Sequence, residues 1–198
     1  MSITDREWIL SIFRQLNSMR RGECCGLTWS DIDFENNTIS INKSLVYLPE
    51  RGVFEDTSKN ESSVRVIKVG KKLMTELRKY KGWQDSFAEK VRSNGTEWED
   101  FGRVFASNTG GNIDPGTVTS WFHRFMTEND LPYVSIHGLR HTNATLMIFQ
   151  GMPLTTAADR LGHSTSATTA KIYVHPIAEA STRAAEYFDD LFDRQDEE

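Results

Sequence analysis

The sequence predicts an α+β fold that is mainly helical, with a small antiparallel β-sheet near its N-terminal part. Apolar residues recur at helical spacing over most of the chain, whereas runs rich in β-branched residues occur only in roughly the first third. The composition agrees with a folded domain, because 38% of the 198 residues are hydrophobic and 26% are charged. Disordered chains have fewer apolar residues and a larger imbalance of charge.

The N-terminal elements follow from local patterns. Apolar side chains at four-residue steps predict a helix over residues 5–17, and a second, short helix is predicted at 20–27. Residues 38–48 (TISINKSLVYL) and 62–69 (SSVRVIKV) are predicted strands. We expect the two strands to pair in an antiparallel sheet across a polar loop, residues 49–61.

Helices fill the rest of the chain. From Lys71 onward Leu73, Leu77 and Tyr80 share one helical face. Asp114 followed by Pro115 is typical of a helix start, with Asp as the cap. The helix that begins there carries an apolar stripe that we expect in the core: Val118, Trp121, Phe122 and Phe125. Four more helices are predicted, over residues 138–150, 154–161, 166–174 and 177–192.

The charge of the chain is unevenly distributed. The formal net charge is −5, but the segment Glu186–Glu198 holds seven acids and one base, so the rest of the chain sums to +1. A body of this charge is compatible with a DNA-binding face, since DNA responds to the local field. The sequence has no apolar run long enough for a membrane span. Two adjacent cysteines, Cys24 and Cys25, suggest buried thiols, and we expect a cytoplasmic protein.

One short motif pairs an imidazole with a guanidinium. His137 and Arg140 lie three residues apart on a predicted helix, on the face opposite to Leu139, Leu146 and Phe149. Such a pair near a helix start suits an anion. The motif alone is also compatible with a solvated helix face.

The motif belongs to a longer ordered set. Leu-Gly-His163-Ser follows Arg140 by 23 residues, and Tyr173 follows His163 by ten. Upstream lie Met-Arg20-Arg-Gly-Glu and Ser-Lys59-Asn. The order Arg, Lys, His-x-x-Arg, Gly-His, Tyr resembles the active-site signature of the tyrosine recombinases, the family of phage integrases, from about residue 16 to 176.

The resemblance implies a role for each matching residue. Arg20 and Arg140 correspond to the two phosphate-binding arginines, and Glu23, three residues after Arg20, to a supporting acid. Lys59 corresponds to the lysine of a β-hairpin loop, in a segment that continues Ser63-x-Arg65, with Lys43 and Lys68 as alternatives. The remaining matches are His137 as candidate base, His163 at the phosphate, Tyr173 as nucleophile and His175 as a supporting residue.

The chemistry of phosphodiester cleavage explains these residue types. Two permanently charged, bidentate guanidinium groups suit the oxygens of a five-coordinate phosphorus. A phenol with an ordinary pKa of about 10 requires a base, here His137, and the departing 5′-oxygen requires an acid, here Lys59. A phosphotyrosine link conserves the bond energy, so the scheme requires neither ATP nor a metal or other cofactor.

The resemblance also implies a domain arrangement and partners. Residues 1–176 correspond to the catalytic domain, and residues 177–198 to an amphipathic helix with an acidic tail, which packs either on a neighbouring protomer or on its own domain. The expected partner is double-stranded DNA. We expect the protein to self-associate on DNA as a synaptic tetramer and to be a monomer without DNA. No membrane partner is expected. Two other functions stay open: a type IB topoisomerase-like relaxing enzyme and an inactive DNA-binding remnant of an integrase.

Overall fold

Helices are the main elements of residues 16, 18–57 and 64–163, the part of the chain that the computed structural model describes. In chain order these helices are α1 (Arg21–Gly26), α2 (Lys71–Ser93), α3 (Pro115–Glu128), α4 (Ile136–Phe149) and α5 (Leu154–Leu161). The strands are β1 (Ile32–Asp33), β2 (Thr38–Ile41), β3 (Lys43–Leu48), β4 (Gly52–Thr57) and β5 (Arg65–Lys68). The predicted α+β, mainly helical fold class is confirmed.

The predicted antiparallel pairing is present in a three-stranded sheet with the order β1-β2-β5. Ile39 of β2 lies opposite Ile67 of β5, and both side chains are buried. The pairing places Arg65, the first residue of β5, opposite Ile41. The sheet therefore brings the start of β5 back toward the region that follows α1.

The structure corrects the prediction for residues 38–61. Residues 38–48 are two strands separated at Asn42, and the predicted loop 49–61 contains β4, which forms a hairpin with β3. The hairpin is favoured because Leu45 is buried in a small cluster with Cys25 and Val118, against which Val53 packs. The polar composition of residues 49–61 concealed this strand, since Val53 and Phe54 are the only large apolar side chains of β4.

The main core lies between the three-stranded sheet and α2. Leu73, Leu77 and Tyr80 are buried on the predicted face of α2, and Met74 beside them is fully buried. Tyr80 also lies against Trp83, with ring centroids 5.5 Å apart. Burial of this aromatic and aliphatic face anchors the longest helix of the described region to the sheet.

Helix α3 begins where the sequence predicts it. The carboxylate of Asp114 accepts a hydrogen bond of 2.7 Å from the backbone N–H of Gly116, and Pro115 is the first helical residue. The expected core stripe is only half buried. Val118 and Phe122 are inside, whereas Trp121 and its neighbour one turn later, Phe125, are partly exposed and stacked on each other.

Helix α4 includes one charged residue, Arg140, in its buried face. Arg140 and Ala144 are buried, while Leu146 is 57% exposed and Phe149 is 68% exposed. Helix α5 has the bounds that the sequence predicts and packs against α4. The helices predicted at 166–174 and 177–192, and the one at 5–17 apart from Leu16, lie outside the described residues.

No helix within the described ranges combines the length and the apolar character that a membrane crossing requires.

Candidate active site

The C-terminal end of α5 is the structural centre of the site. Gly162 follows the helix with a φ of +65°, a left-handed conformation that glycine adopts without steric cost. The last carbonyl groups of a helix have no partner within the helix, and the helix dipole makes this end negative. The end of α5 therefore offers a row of acceptors for cationic donors.

Three arginines from distant parts of the chain donate to this row. The carbonyl oxygens of residues 160, 161 and 162 accept from Arg65, Arg140 and Arg20, respectively. The bond from Arg65 Nε measures 2.9 Å and the bond from Arg20 Nη2 measures 2.7 Å. One turn of backbone thus collects guanidinium groups from β5, α4 and the residue before α1.

Glu23 stabilises two of these cations. Its carboxylate accepts from the backbone N–H of Arg20 at 2.7 Å and from Arg20 Nη1 at 2.8 Å. It also accepts two bonds from Arg65, at 2.9 and 3.1 Å. Burial alone would raise the pKa of Glu23, but the hydrogen bonds and charges of Arg65 and Arg20 lower it below its ordinary value. Glu23 is therefore a buried anion that orders two arginines.

Arg140 is buried, with 4% of its surface exposed. Its two terminal nitrogens donate to the carbonyl oxygens of Ser18 and Leu161. Burial, followed by the positive charge of Arg20, lowers the pKa of Arg140 to about 10, although Glu23 opposes this shift. A group with this pKa is still protonated at neutral pH, so the interior of the site retains its charge.

His163 follows Gly162 directly and lies among these cations. Burial, followed by the positive charges of Arg140 and Arg20, lowers the pKa of His163 to about 4. His141 and Arg65 shift it in the same direction. The imidazole is therefore neutral at physiological pH, and a neutral imidazole can both accept and donate a hydrogen bond.

A cavity of about 360 Å³ opens beside the arginines. His137, Arg140 and Arg20 line it, together with Thr119 and Arg21, whose Nη1 donates to the Thr119 hydroxyl at 2.6 Å. His137 is exposed in the first turn of α4. The cavity has the size and charge to receive a phosphate group with its flanking sugar atoms.

The imidazole of His141 lies next to that of His137. The ring centroids of His137 and His141 are 4.4 Å apart, and the rings are nearly perpendicular. Burial, followed by the nearby His137 and Arg140, lowers the pKa of His141. An adjacent neutral ring can limit the rotation of His137 at the rim of the cavity.

The structure brings together five of the eight residues that the sequence predicts for the site: Arg20, Glu23, His137, Arg140 and His163. Lys59, Tyr173 and His175 lie outside the described residues. Of the alternatives to Lys59, Lys43 pairs with the buried carboxylate of Asp31 at 3.3 Å. This ion pair holds Lys43 in a separate cluster, with Thr28.

Arg65 was not predicted as a site residue. It occurs in the pattern Ser63-x-Arg65, to which no role at the site was assigned. The available signal was an arginine in a run rich in β-branched residues, because a strand of this type rarely buries an arginine without a partner. The partner, Glu23, is 42 residues away in the sequence and could not be paired with Arg65 from the pattern alone.

Comparisons with known proteins identify the family of the chain. The family model of the phage integrase family matches residues 6–179. A tyrosine recombinase XerC-like protein of Caldanaerobacter subterraneus subsp. tengcongensis is 32% identical over 184 residues, which cover 88% of this chain and 46% of the relative. The ICEBs1 integrase of Bacillus subtilis is 29% identical over 180 residues, which cover 89% and 46%. The chain thus spans about half the length of these relatives.

Solved structures share the fold. The Tn1549 transposon integrase, in complex with transposon right end DNA, superposes with a TM-score of 0.73 at 22% identity, covering 94% of this chain and 60% of that one. The XerA recombinase superposes with a TM-score of 0.64 at 22% identity, covering 91% and 57%. The family match spans most of the chain and includes every residue of the arginine cluster. The chain therefore belongs to the phage integrase family, the tyrosine recombinases.

Proposed function

We propose that this chain is the catalytic part of a site-specific DNA recombinase, an integrase. The observation that supports this most is the convergence of Arg20, Arg140 and His163 at the end of α5, beside a cavity that also reaches His137. These groups come from widely separated parts of the sequence. A cluster of cationic groups of this kind is suited to bind a phosphate and neutralise its charge.

In the proposed reaction the phenolic oxygen of Tyr173 attacks a DNA phosphorus. The bond from that oxygen to phosphorus forms, and the bond from phosphorus to the 5′-oxygen breaks. His137 takes the phenolic proton, and Lys59 donates a proton to the departing 5′-oxygen. The products are a 3′-phosphotyrosyl link and a free 5′-hydroxyl. A second 5′-hydroxyl reverses the step, so that strands are rejoined without ATP.

The described side chains can stabilise this reaction. The guanidinium groups of Arg20 and Arg140 neutralise the charge that develops on the non-bridging oxygens. Because they are held by backbone carbonyls, little reorganisation is required when the phosphate enters. His163, which is neutral near pH 7, donates a hydrogen bond to the phosphate and orients it toward Tyr173.

The proposed partner is double-stranded DNA. The solved Tn1549 integrase is bound to transposon DNA, and the charge of this chain is near neutral once its acidic tail is set aside. We expect a monomer without DNA and a synaptic tetramer on it, with residues 1–176 as the catalytic domain. The free, buried thiols of Cys24 and Cys25 are consistent with a reducing cytoplasm.

A covalent adduct on a suicide substrate tests the proposal. Nicked duplexes from the DNA that flanks the coding region lose a short 5′-hydroxyl strand after cleavage, which traps the phosphotyrosine. We expect the unsubstituted chain to form an adduct that survives denaturing electrophoresis, and Tyr173→Phe to form none. An adduct with Tyr173→Phe would refute the assignment of the nucleophile.

Other outcomes of the same experiment identify the alternatives. Shifted DNA in a native gel, with no adduct on any substrate, would favour a DNA-binding remnant. Relaxation of a supercoiled plasmid that lacks the flanking sequences would favour a type IB topoisomerase. Ala substitution of Arg92, which is exposed near the end of α2, serves as the matched control and should cleave like the unsubstituted chain.

A further inference from the structure

The cluster has two halves, the Glu23 carboxylate with Arg20 and the last turn of α5 with the residues that follow it, and the buried guanidinium group of Arg65 contacts both halves. On one side it binds the carboxylate of Glu23 with two hydrogen bonds. On the other side its Nε donates to the carbonyl oxygen of Arg160, in the last turn of α5, at 2.9 Å. The group is nearly buried, with 8% of the side chain exposed, so it is not itself a surface for DNA.

The first half of the cluster depends on Glu23. This carboxylate orders both the backbone and the guanidinium of Arg20, and its own side chain is 6% exposed. A buried carboxylate needs a cation beside it to stay ionised. Arg65 supplies this charge from inside, whereas Arg20 is 44% exposed and faces the cavity.

The second half depends on the turn after α5. The guanidinium of Arg65 lies so close to this turn that a Cβ on Gly162 would be 2.6 Å from its Nη1. The same guanidinium approaches the carbonyl oxygen of Ser18 at 3.5 Å, and that oxygen also accepts from Arg140. Displacement of Arg65 would therefore disturb the acceptors of Arg140 and the backbone that carries His163.

We propose that Arg65 is a positioning residue for DNA cleavage, which sets the distance between Arg20 and the His163 turn through its simultaneous contacts with Glu23 and the end of α5. This inference rests on the proposed function. The planar fork of a guanidinium is required, because the ammonium of lysine can neutralise Glu23 but cannot also reproduce the fixed contact with α5. An error of about 1 Å in such a geometry can reduce a rate about 10²-fold.

The test compares Arg65→Lys with the unsubstituted chain and with the surface control Arg92→Lys. We expect Arg65→Lys to reduce the single-turnover cleavage rate at saturating DNA by about 10²-fold. The dissociation constant for DNA should change by less than about 3-fold, since Arg65 does not face the cavity. Arg92→Lys should leave both quantities unchanged. Arg65→Met should be at least as slow as Arg65→Lys.

A cleavage rate of Arg65→Lys equal to that of the unsubstituted chain would overturn the proposal, because charge alone would then suffice. An equal loss of rate and DNA affinity would also overturn it. Circular dichroism first establishes a temperature at which Arg65→Lys is folded. Failure to fold at any temperature would make Arg65 a general structural residue and likewise contradict the positioning role.

A second measurement does not require activity. Two hydrogen bonds restrict rotation of the Arg20 guanidinium, so its side-chain N–H signals should be resolved in nitrogen-15 NMR spectra and identified by their loss in Arg20→Lys. We expect these signals to average in Arg65→Lys but not in Arg92→Lys. Unchanged Arg20 signals would refute the positioning role even if the chain cleaves no DNA. An absent Tyr173 adduct in the unsubstituted chain would instead refute only the proposed function.

Discussion

At the residue scale, three guanidinium groups lie together, and Glu23 is the carboxylate that two of them, Arg20 and Arg65, share. Arg20, Arg65 and Arg140 carry three positive charges against one negative charge, which leaves an excess of two for an incoming phosphate. The carbonyl oxygens at the end of α5 reduce the repulsion without neutralising the cations. The cluster is thus preorganised to bind an anion.

The neutral state of His163 is a consequence of this excess charge and leads to a testable titration. We expect its imidazole to titrate with a midpoint at about pH 4 in NMR spectra, with the signal identified by its loss in His163→Gln. Arg20→Gln should raise the midpoint, because one of the positive charges is removed. A midpoint near the ordinary value of about 6.5 would contradict the described environment.

The same shift has a consequence for stability, whose sign follows from the depressed pKa. The unfolded chain binds a proton at His163 near its ordinary pKa, whereas the folded chain does so only near pH 4. The contribution of His163 to stability is therefore fully present above about pH 6.5 and is lost as the pH falls toward 4. DNA cleavage should depend on pH in this acidic range as well.

At the residue scale, motifs identified the participants but not the contacts between them. Arg20, Arg140 and His163 were predicted because short fixed spacings mark them in the sequence. The location of Arg65 could not be predicted in this way, since its role depends on the pairing of β2 with β5 and on the end of α5. Only the tertiary arrangement makes Glu23 its partner.

At the scale of elements, the turn after α5 links backbone conformation to the site. Gly162 and Gly151 both have a positive φ, of +65° and +82°, but only a Cβ at Gly162 would clash with Arg65. Gly151 has no atom within 4 Å of such a Cβ. A comparison of the same substitution at the two glycines therefore separates the effect of backbone strain from the effect of displacing Arg65.

We expect Gly162→Ala and Gly151→Ala each to lose about 1 kcal/mol of unfolding free energy, because alanine disfavours the left-handed region. Only Gly162→Ala should also slow cleavage, by about tenfold or more, since it displaces Arg65. Urea unfolding and single-turnover cleavage measure the two quantities. Equal cleavage rates for both variants would show that the turn tolerates movement of the guanidinium.

Element boundaries were predicted with unequal success, for physical reasons. Helix α5 has the bounds that were predicted, and Pro153 and Gly162 delimit it in the sequence. The hairpin of β3 and β4 was missed because its stabilisation comes from burial of Leu45 against α1 and α3, which are distant in the sequence. Strand signals that depend on a partner surface are weaker than helix signals that depend on local caps.

At the scale of the whole molecule, α4 and α5 leave an apolar surface exposed. Leu146 and Phe149 are more than half exposed, and a shallow groove beside them is lined by Leu146, Met147, Met152 and Pro153. The predicted helix at 177–192 carries an apolar stripe of matching character. We propose that this helix covers the groove of a neighbouring protomer on DNA.

Removal of residues 177–198 tests this proposal. In analytical ultracentrifugation with duplex DNA, the full chain should form multimers, whereas the chain shortened to residues 1–176 should bind as single protomers. The substitution Leu146→Glu in the full chain should have the same effect. If the helix packs on its own domain instead, the shortened chain will show a lower melting temperature without DNA and an unchanged stoichiometry on DNA.

The use of main-chain oxygens at the end of α5 also bears on how this protein can diverge in sequence. A carbonyl group is present whichever amino acid occupies the position, so mutations at residue 160 leave the hydrogen-bond acceptor for Arg65 in place. Relatives can therefore vary the outer surface of this helix and retain the anion site. Gly162 is the exception, because there the absence of a side chain is itself what the neighbouring guanidinium requires.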